Sequence, residues 1–187
     1  PVLSHCEDHR LSANGVMHEG AVSTALGLPG IPAMAETVMV YRDIQLAALT
    51  GAHVHIQHVS TAEAVDLVRR AKDQGLRVTA EARSQQHNLK HEPYTKVSPP
   101  LRTAGDVEAI KVGLQDGTIE VIASDHAPHH VAEKEQEYVV APAGMIGLET
   151  SVGLALRLYH EGRLSLAQVI AAYTVHPARV LGLPYGT

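Results

Sequence analysis

Apolar residues along the chain fall into two kinds of run. Four short runs, 1–4, 53–59, 76–81 and 119–124, carry β-branched residues over the usual length of a strand. Between and after them, apolar positions recur at spacings of three and four, the pattern of a helix with one buried face. These stretches are 32–49, 61–74, 104–115, 147–161 and 165–173. Gly51, Gly75, Gly117 and Gly162 stand just past four of them, where a helix commonly ends. Ser60 with Glu63 three residues on predicts a capping box for 61–74, and Thr103 and Ser165 are the expected caps further along.

Strands that alternate with helices predict βαβ units and a parallel sheet. Four such units make half of an eight-stranded (β/α)8 barrel, so the expected class is α/β, a partial TIM-type barrel. A doubly wound nucleotide-binding sheet is the alternative, but no Gly-rich phosphate loop follows any strand. No repeat, low-complexity tract or linker divides residues 1–187, which read as one piece of a larger barrel. The chain opens at Pro1 on the apolar Val2 and Leu3 and closes on 183–187 directly after a helical stretch. Both ends are therefore expected to be cuts within a longer polypeptide.

Composition narrows the function. Hydrophobic residues make up 45% and charged residues 19%, the balance of a globular protein. With six Tyr and neither Phe nor Trp, the core must be aliphatic, as a barrel interior is. A formal charge of -5 without a basic run argues against nucleic acid as a partner. No apolar stretch is long enough to span a bilayer, and no signal peptide is visible. Cys6 is the sole cysteine, which rules out an intrachain disulfide and suits a reducing compartment. The expected location is the cytoplasm.

Barrel enzymes place their chemistry at the C-terminal ends of the strands. Here those ends read Ser4-His5-Cys6-Glu7-Asp8, His55-Ile56-Gln57-His58-Val59-Ser60, Thr79-Ala80-Glu81 and Ser124-Asp125-His126-Ala127-Pro128-His129-His130. A single strand-end His5 or His58 is ordinarily just a hydrogen-bonded residue. A polar cluster such as 125–129 after a buried strand needs a partner, and a metal supplies one, since imidazole and carboxylate are the usual zinc ligands of catalytic sites. His53 and His55 are read as strand residues, Glu149 as a first-turn helix acid, Met17, Met34 and Met39 as packing residues, and Cys6 as a bystander.

Six phrases, His-Cys-Glu-Asp (5–8), His-Val-Ser-Thr (58–61), Val-Thr-Ala-Glu (78–81), Pro-Pro-Leu-Arg (99–102), Ser-Asp-His-Ala-Pro-His (124–129) and Gly-Leu-Glu-Thr (147–150), resemble in order the dihydroorotases of the amidohydrolase superfamily, in their longer bacterial type. The resemblance implies strands five to eight of the barrel. It implies that His5 and His58 hold one zinc, and that Asp125 binds a second and acts as general base. It further implies that His129 meets the substrate carboxylate, that the backbone of Ala143 and Gly144 touches the ring, and that Ser98 stands where an Asn usually binds substrate. The implied reaction is reversible hydrolysis of dihydroorotate to N-carbamoyl-aspartate in pyrimidine biosynthesis, with two zinc ions in the full-length protein. A bound zinc lowers the pKa of its water to about 7 and polarises the carbonyl; a carboxylate beside it can carry the proton to the leaving nitrogen.

Three departures from the family pattern qualify this. The strand-one His-x-His pair and the bridging carboxylate of strand four are not in the chain, so the 187 residues alone are expected to be inactive. The phrase after Val-Thr-Ala-Glu, normally Val-Thr-Pro-His-His, is Ala82-Arg83-Ser84-Gln85-Gln86 with His87 one place later. Ser98 offers a hydroxyl in place of an amide. Two other readings stay open: a sibling cyclic amidohydrolase (hydantoinase, dihydropyrimidinase or allantoinase), or a non-catalytic dihydroorotase-like scaffold of aspartate transcarbamoylase. Expected partners are thus a small-molecule substrate, and either a second copy or that transcarbamoylase.

Overall fold

The computed structural model describes residues 1–84 and 93–186. Its centre is a four-stranded, all-parallel sheet of β1 (Val2–Ser4), β4 (Val54–Ile56), β5 (Val78–Arg83) and β6 (Val121–Ala123), in that spatial order. The register pairs Val2 with Val54, His55 with Thr79 and Glu81 with Val121. All four expected strands form: β4 and β6 are four and three residues shorter than their apolar runs, β1 loses one residue, and β5 is shifted two residues along its run.

Between β1 and β4 lies an excursion absent from the sequence reading. It holds a two-stranded parallel pair, β2 (Met17–His18) with β3 (Gly30–Ile31), and a short helix α1 (Ala21–Leu26). Two-residue strands are too short to show a period. Gly30 is obligatory there, because an added Cβ would lie 2.5 Å from the Glu19 Cα. The chain then enters α2 (Met34–Thr50), which ends at Gly51 in the left-handed conformation, φ 71°.

Helices α3 (Ala62–Asp73) and α4 (Ala104–Asp116) follow β4 and β5, and α3 packs between α2 and α4. Thr103 caps α4 as expected, and the cap is a full capping box: the Thr103 hydroxyl accepts from the Asp106 amide while the Asp106 carboxylate takes the Thr103 amide. On α3 the cap falls one residue later than expected. Thr61, not Ser60, accepts from the Ala64 amide at 3.2 Å, because Ser60 is engaged by a buried carboxylate, Glu36 of α2. After β6 come α5 (Val131–Lys134), α6 (Leu148–His160), α7 (Leu166–Tyr173), capped by Ser165 with Gln168, and α8 (Val175–Leu181).

Alternation along the strands divides the sheet into two faces. Val54, Ile56, Val78, Ala80 and Ile122 join Val40, Ile44, Val65, Val68, Ile110, Leu114 and Leu158 of the helices in one aliphatic core. On the other face lie Leu3, His55, Thr79, Glu81 and Arg83. His53 and His55 both hydrogen-bond the Thr79 hydroxyl, at 2.9 and 2.8 Å, and His55 reaches Glu81 at 3.2 Å. His55 is a strand residue and His53 stands directly before β4, not within it as expected; the sheet holds both, apart from the strand-end residues described below.

Candidate active site

The loops that leave the C-terminal ends of β1, β4, β5 and β6 carry the candidate residues. His5 follows β1 directly; His58 stands two residues past β4. Their rings meet edge-on, 4.7 Å between centroids, and His5 Nδ1 and His58 Nε2 share a hydrogen bond at 2.8 Å. His5 Nε2 bonds Glu7 Oε2 at 2.9 Å, and the same oxygen accepts from the Ser98 hydroxyl at 3.3 Å. The Ser98 carbonyl accepts from Arg83 Nη1 at 3.2 Å, and that nitrogen also donates to Asp125 Oδ2 at 2.8 Å. One unbroken polar chain, His58–His5–Glu7–Ser98–Arg83–Asp125, therefore runs across the strand ends.

His58 and Asp125 have backbone φ of 34° and 46°. Non-glycine residues at positive φ are strained and concentrate at functional sites. What holds His58 in place is the segment after it. Glu36, buried in α2, accepts from the Ser60 amide at 2.9 Å and from the Thr61 amide and hydroxyl, both at 3.1 Å. Arg102 closes the cluster, donating from Nε to the Ser60 hydroxyl at 3.0 Å and approaching Glu36 at 3.9 Å. The family-like phrases 58–61 and 99–102 are thus one interlocked unit.

Burial pushes the His58 imidazole down to about 4, and the Arg83 charge adds to the effect. The ring is neutral at pH 7, the form that binds metal. Burial works to raise the Glu7 carboxyl, but hydrogen bonds from Ser12 and His5 hold it below its usual range. The Cys6 thiol is pushed up to about 12, first by burial, which suits a bystander.

The second group of candidates lies in the loop after β6. His126 Nδ1 accepts from the Gly147 and Leu148 amides at 3.0 and 3.3 Å, so it braces the start of α6. His129 Nε2 donates to the Ala143 carbonyl at 3.0 Å. Gly144 has φ 134°, and a Cβ there would lie 2.7 Å from His129 Nε2 and 2.8 Å from the Ala127 carbonyl. Two buried lysines fix this loop. Lys96 donates to the Tyr138, Val139 and Ala141 carbonyls, Lys134 to those of Pro142 and Gly144. Gly144 in turn donates to the Lys96 carbonyl at 2.8 Å.

Sequence reasoning chose His5, His58, Ser98 and Asp125, which the structure brings onto one chain, and His129, Ala143 and Gly144, which it brings onto one loop. It missed Glu7 and Arg83, the links between them. Glu7 lay within a family-like phrase; Arg83 lay in the phrase that departs from the family. Gln85, Gln86 and His87 lie outside the described residues.

As a metal shell the donor set is partial. The two imidazole nitrogens converge at 2.8 Å, near the separation of about 3.3 Å between two nitrogen ligands of a tetrahedral zinc. No group of three His, Cys, Asp or Glu side chains converges among the described residues. His5 and His58 fit one ion in part, whereas the Asp125 carboxylate is taken by a guanidinium. Among the described residues no helix is long and apolar enough to cross a membrane.

The amidohydrolase family matches residues 1–187. A protein named dihydroorotase from Pelotomaculum thermopropionicum is 58% identical over the whole chain, and one from Syntrophus aciditrophicus is 49% identical. The chain spans 45% of the length of each. Among solved structures, the L-hydantoinase (dihydropyrimidinase) of Arthrobacter aurescens superposes on 99% of the chain with a TM-score of 0.83 at 28% identity; 44% of that protein is covered. Such neighbours are TIM-barrel amidohydrolases, and the four parallel strands form part of that barrel. Amidohydrolases of this kind are generally metal-dependent. The chain belongs to the amidohydrolase family.

Proposed function

We propose that residues 1–187 are part of the catalytic barrel of a zinc-dependent dihydroorotase of the cytoplasm, which opens and closes the cyclic amide of dihydroorotate in pyrimidine biosynthesis. The observation that carries this reading is the polar chain from His58 to Asp125 at the C-terminal ends of four parallel strands. The names of the relatives at 58% and 49% identity support the substrate.

His5 and His58 would hold a zinc ion, with further ligands from outside this chain. When bound, the zinc would lower the pKa of water and polarise the amide carbonyl. Asp125 takes the proton of the attacking water and delivers it to the leaving ring nitrogen. Its Oδ2 is fixed by Arg83, and among the described residues Oδ1 has no hydrogen bond, which leaves that oxygen for the proton. Glu7 orients His5 by accepting at Nε2, the second partner that a metal-binding histidine commonly has. His129 and the backbone of 143–144, already joined to each other, bind the anionic substrate, and Ser98 contributes its hydroxyl.

The test uses the complete polypeptide that carries this chain, beside its Asp125→Asn variant. Turnover of dihydroorotate that falls by roughly 100- to 10,000-fold in the variant is expected. Turnover of hydantoin, dihydrouracil or allantoin in preference would point to a sibling hydrolase. A metal-free, inactive parent would point to a scaffold subunit.

A further inference from the structure

Arg83 is the last residue of β5, and alternation places it on the same face as Thr79 and Glu81. Its side chain is 1% exposed. Nη1 donates to Asp125 Oδ2 at 2.8 Å and to the Ser98 carbonyl at 3.2 Å, and Nη2 donates to the Pro99 carbonyl. A guanidinium held by three acceptors on two segments cannot swing aside without leaving its charge and two carbonyls unpaired. It does not give up its proton either. A zinc ion on Asp125 would have to sit about 2.2 Å from Oδ1, the oxygen that Arg83 leaves open, and share one carboxylate with the guanidinium. That ion would then lie directly beside a fixed positive charge. Followed along its hydrogen bonds, the His5–His58 pair stands at the other end of the polar chain, beyond Ser98 and Glu7, and among the described residues neither imidazole is bonded to Arg83.

We infer that Arg83 is a built-in cation that takes the place of a metal ion at Asp125, so that this amidohydrolase holds one ion, at the His5–His58 pair, and not two. It rests on the metal-dependent hydrolase reading above. Arg83 is a positioning residue: it orients the carboxylate that moves the proton, and it supplies there the positive charge that a second ion would bring.

The complete polypeptide is produced with excess zinc, freed of unbound metal by gel filtration, and assayed for zinc per chain by atomic emission. One ion is expected in the wild type and in Arg83→Lys, which keeps the charge. Two are expected in Arg83→Met, which keeps the apolar stem and frees the carboxylate. Two ions in an active wild type, or one ion in a folded Arg83→Met, would overturn the inference and leave the hydrolase reading intact. Should Arg83→Met fail to fold, Asp125→Asn decides: one ion retained supports the inference, and a loss of zinc makes Asp125 a ligand and sinks it. No zinc in the wild type would sink the metal-dependent reading and this inference together.

Discussion

Burial sets how His58 responds to pH. Its folded pKa, about 4, lies below the ordinary 6.5, so between those values the unfolded chain binds the proton more readily than the folded one. Its contribution to stability is full above pH 6.5 and is lost as pH falls towards 4. The loss amounts to roughly 3 kcal/mol at most. Urea unfolding of the metal-stripped protein at pH 7.5 and pH 5 measures it: the drop is expected to shrink in His58→Gln, and an equal drop in both proteins would assign the titration elsewhere. Gly144 gives a second test at this scale. Gly144→Ala puts a Cβ against His129 and the Ala127 carbonyl, at a backbone angle that side chains avoid. Displacing that loop by an ångström should lower kcat/KM on the order of 100-fold. Unchanged kinetics would remove the 143–144 backbone from the substrate site.

At the scale of elements, α2 and the β4–α3 turn are one device, because Glu36 holds the turn that presents His58. Glu36→Gln turns one acceptor into a donor and deprives Arg102 of its counter-charge. We expect a loss of about 2–4 kcal/mol in urea unfolding, with weaker zinc binding at His58. A change within about 0.5 kcal/mol, the size typical of an unconnected surface site, would show that the turn holds itself. Legibility in the sequence followed the same division. Elements with their own period and caps, such as α3 and α4, could be read almost to the residue. The Ser60 cap was misplaced because a carboxylate 24 residues earlier claims that hydroxyl. The β2–β3 pair was invisible because two residues carry no alternation. The site's members were legible at strand ends, but their links were not: Arg83 reads as one residue of a phrase that departs from the family until the fold sets it 2.8 Å from a residue 42 positions on.

For the whole molecule, the sheet's two edges matter most. Among the described residues β1 and β6 each have one unpaired side, and on β1 Val2 and Leu3 are 58% and 47% exposed. Open edges beside apolar surface promote association. The 187-residue chain made alone is expected to run as oligomers or aggregates in sedimentation velocity. A monodisperse monomer with a cooperative melt would show that the four strands suffice by themselves. The strand order carries one more consequence. Each strand of the main sheet lies beside the one made just before it, and the first pairing waits for the longest stretch, from Val2 to Val54. A ribosome adding about 5–20 residues per second crosses those 52 positions in roughly 3–10 s. During synthesis, the two imidazoles can therefore meet while the ribosome has yet to reach Asp125.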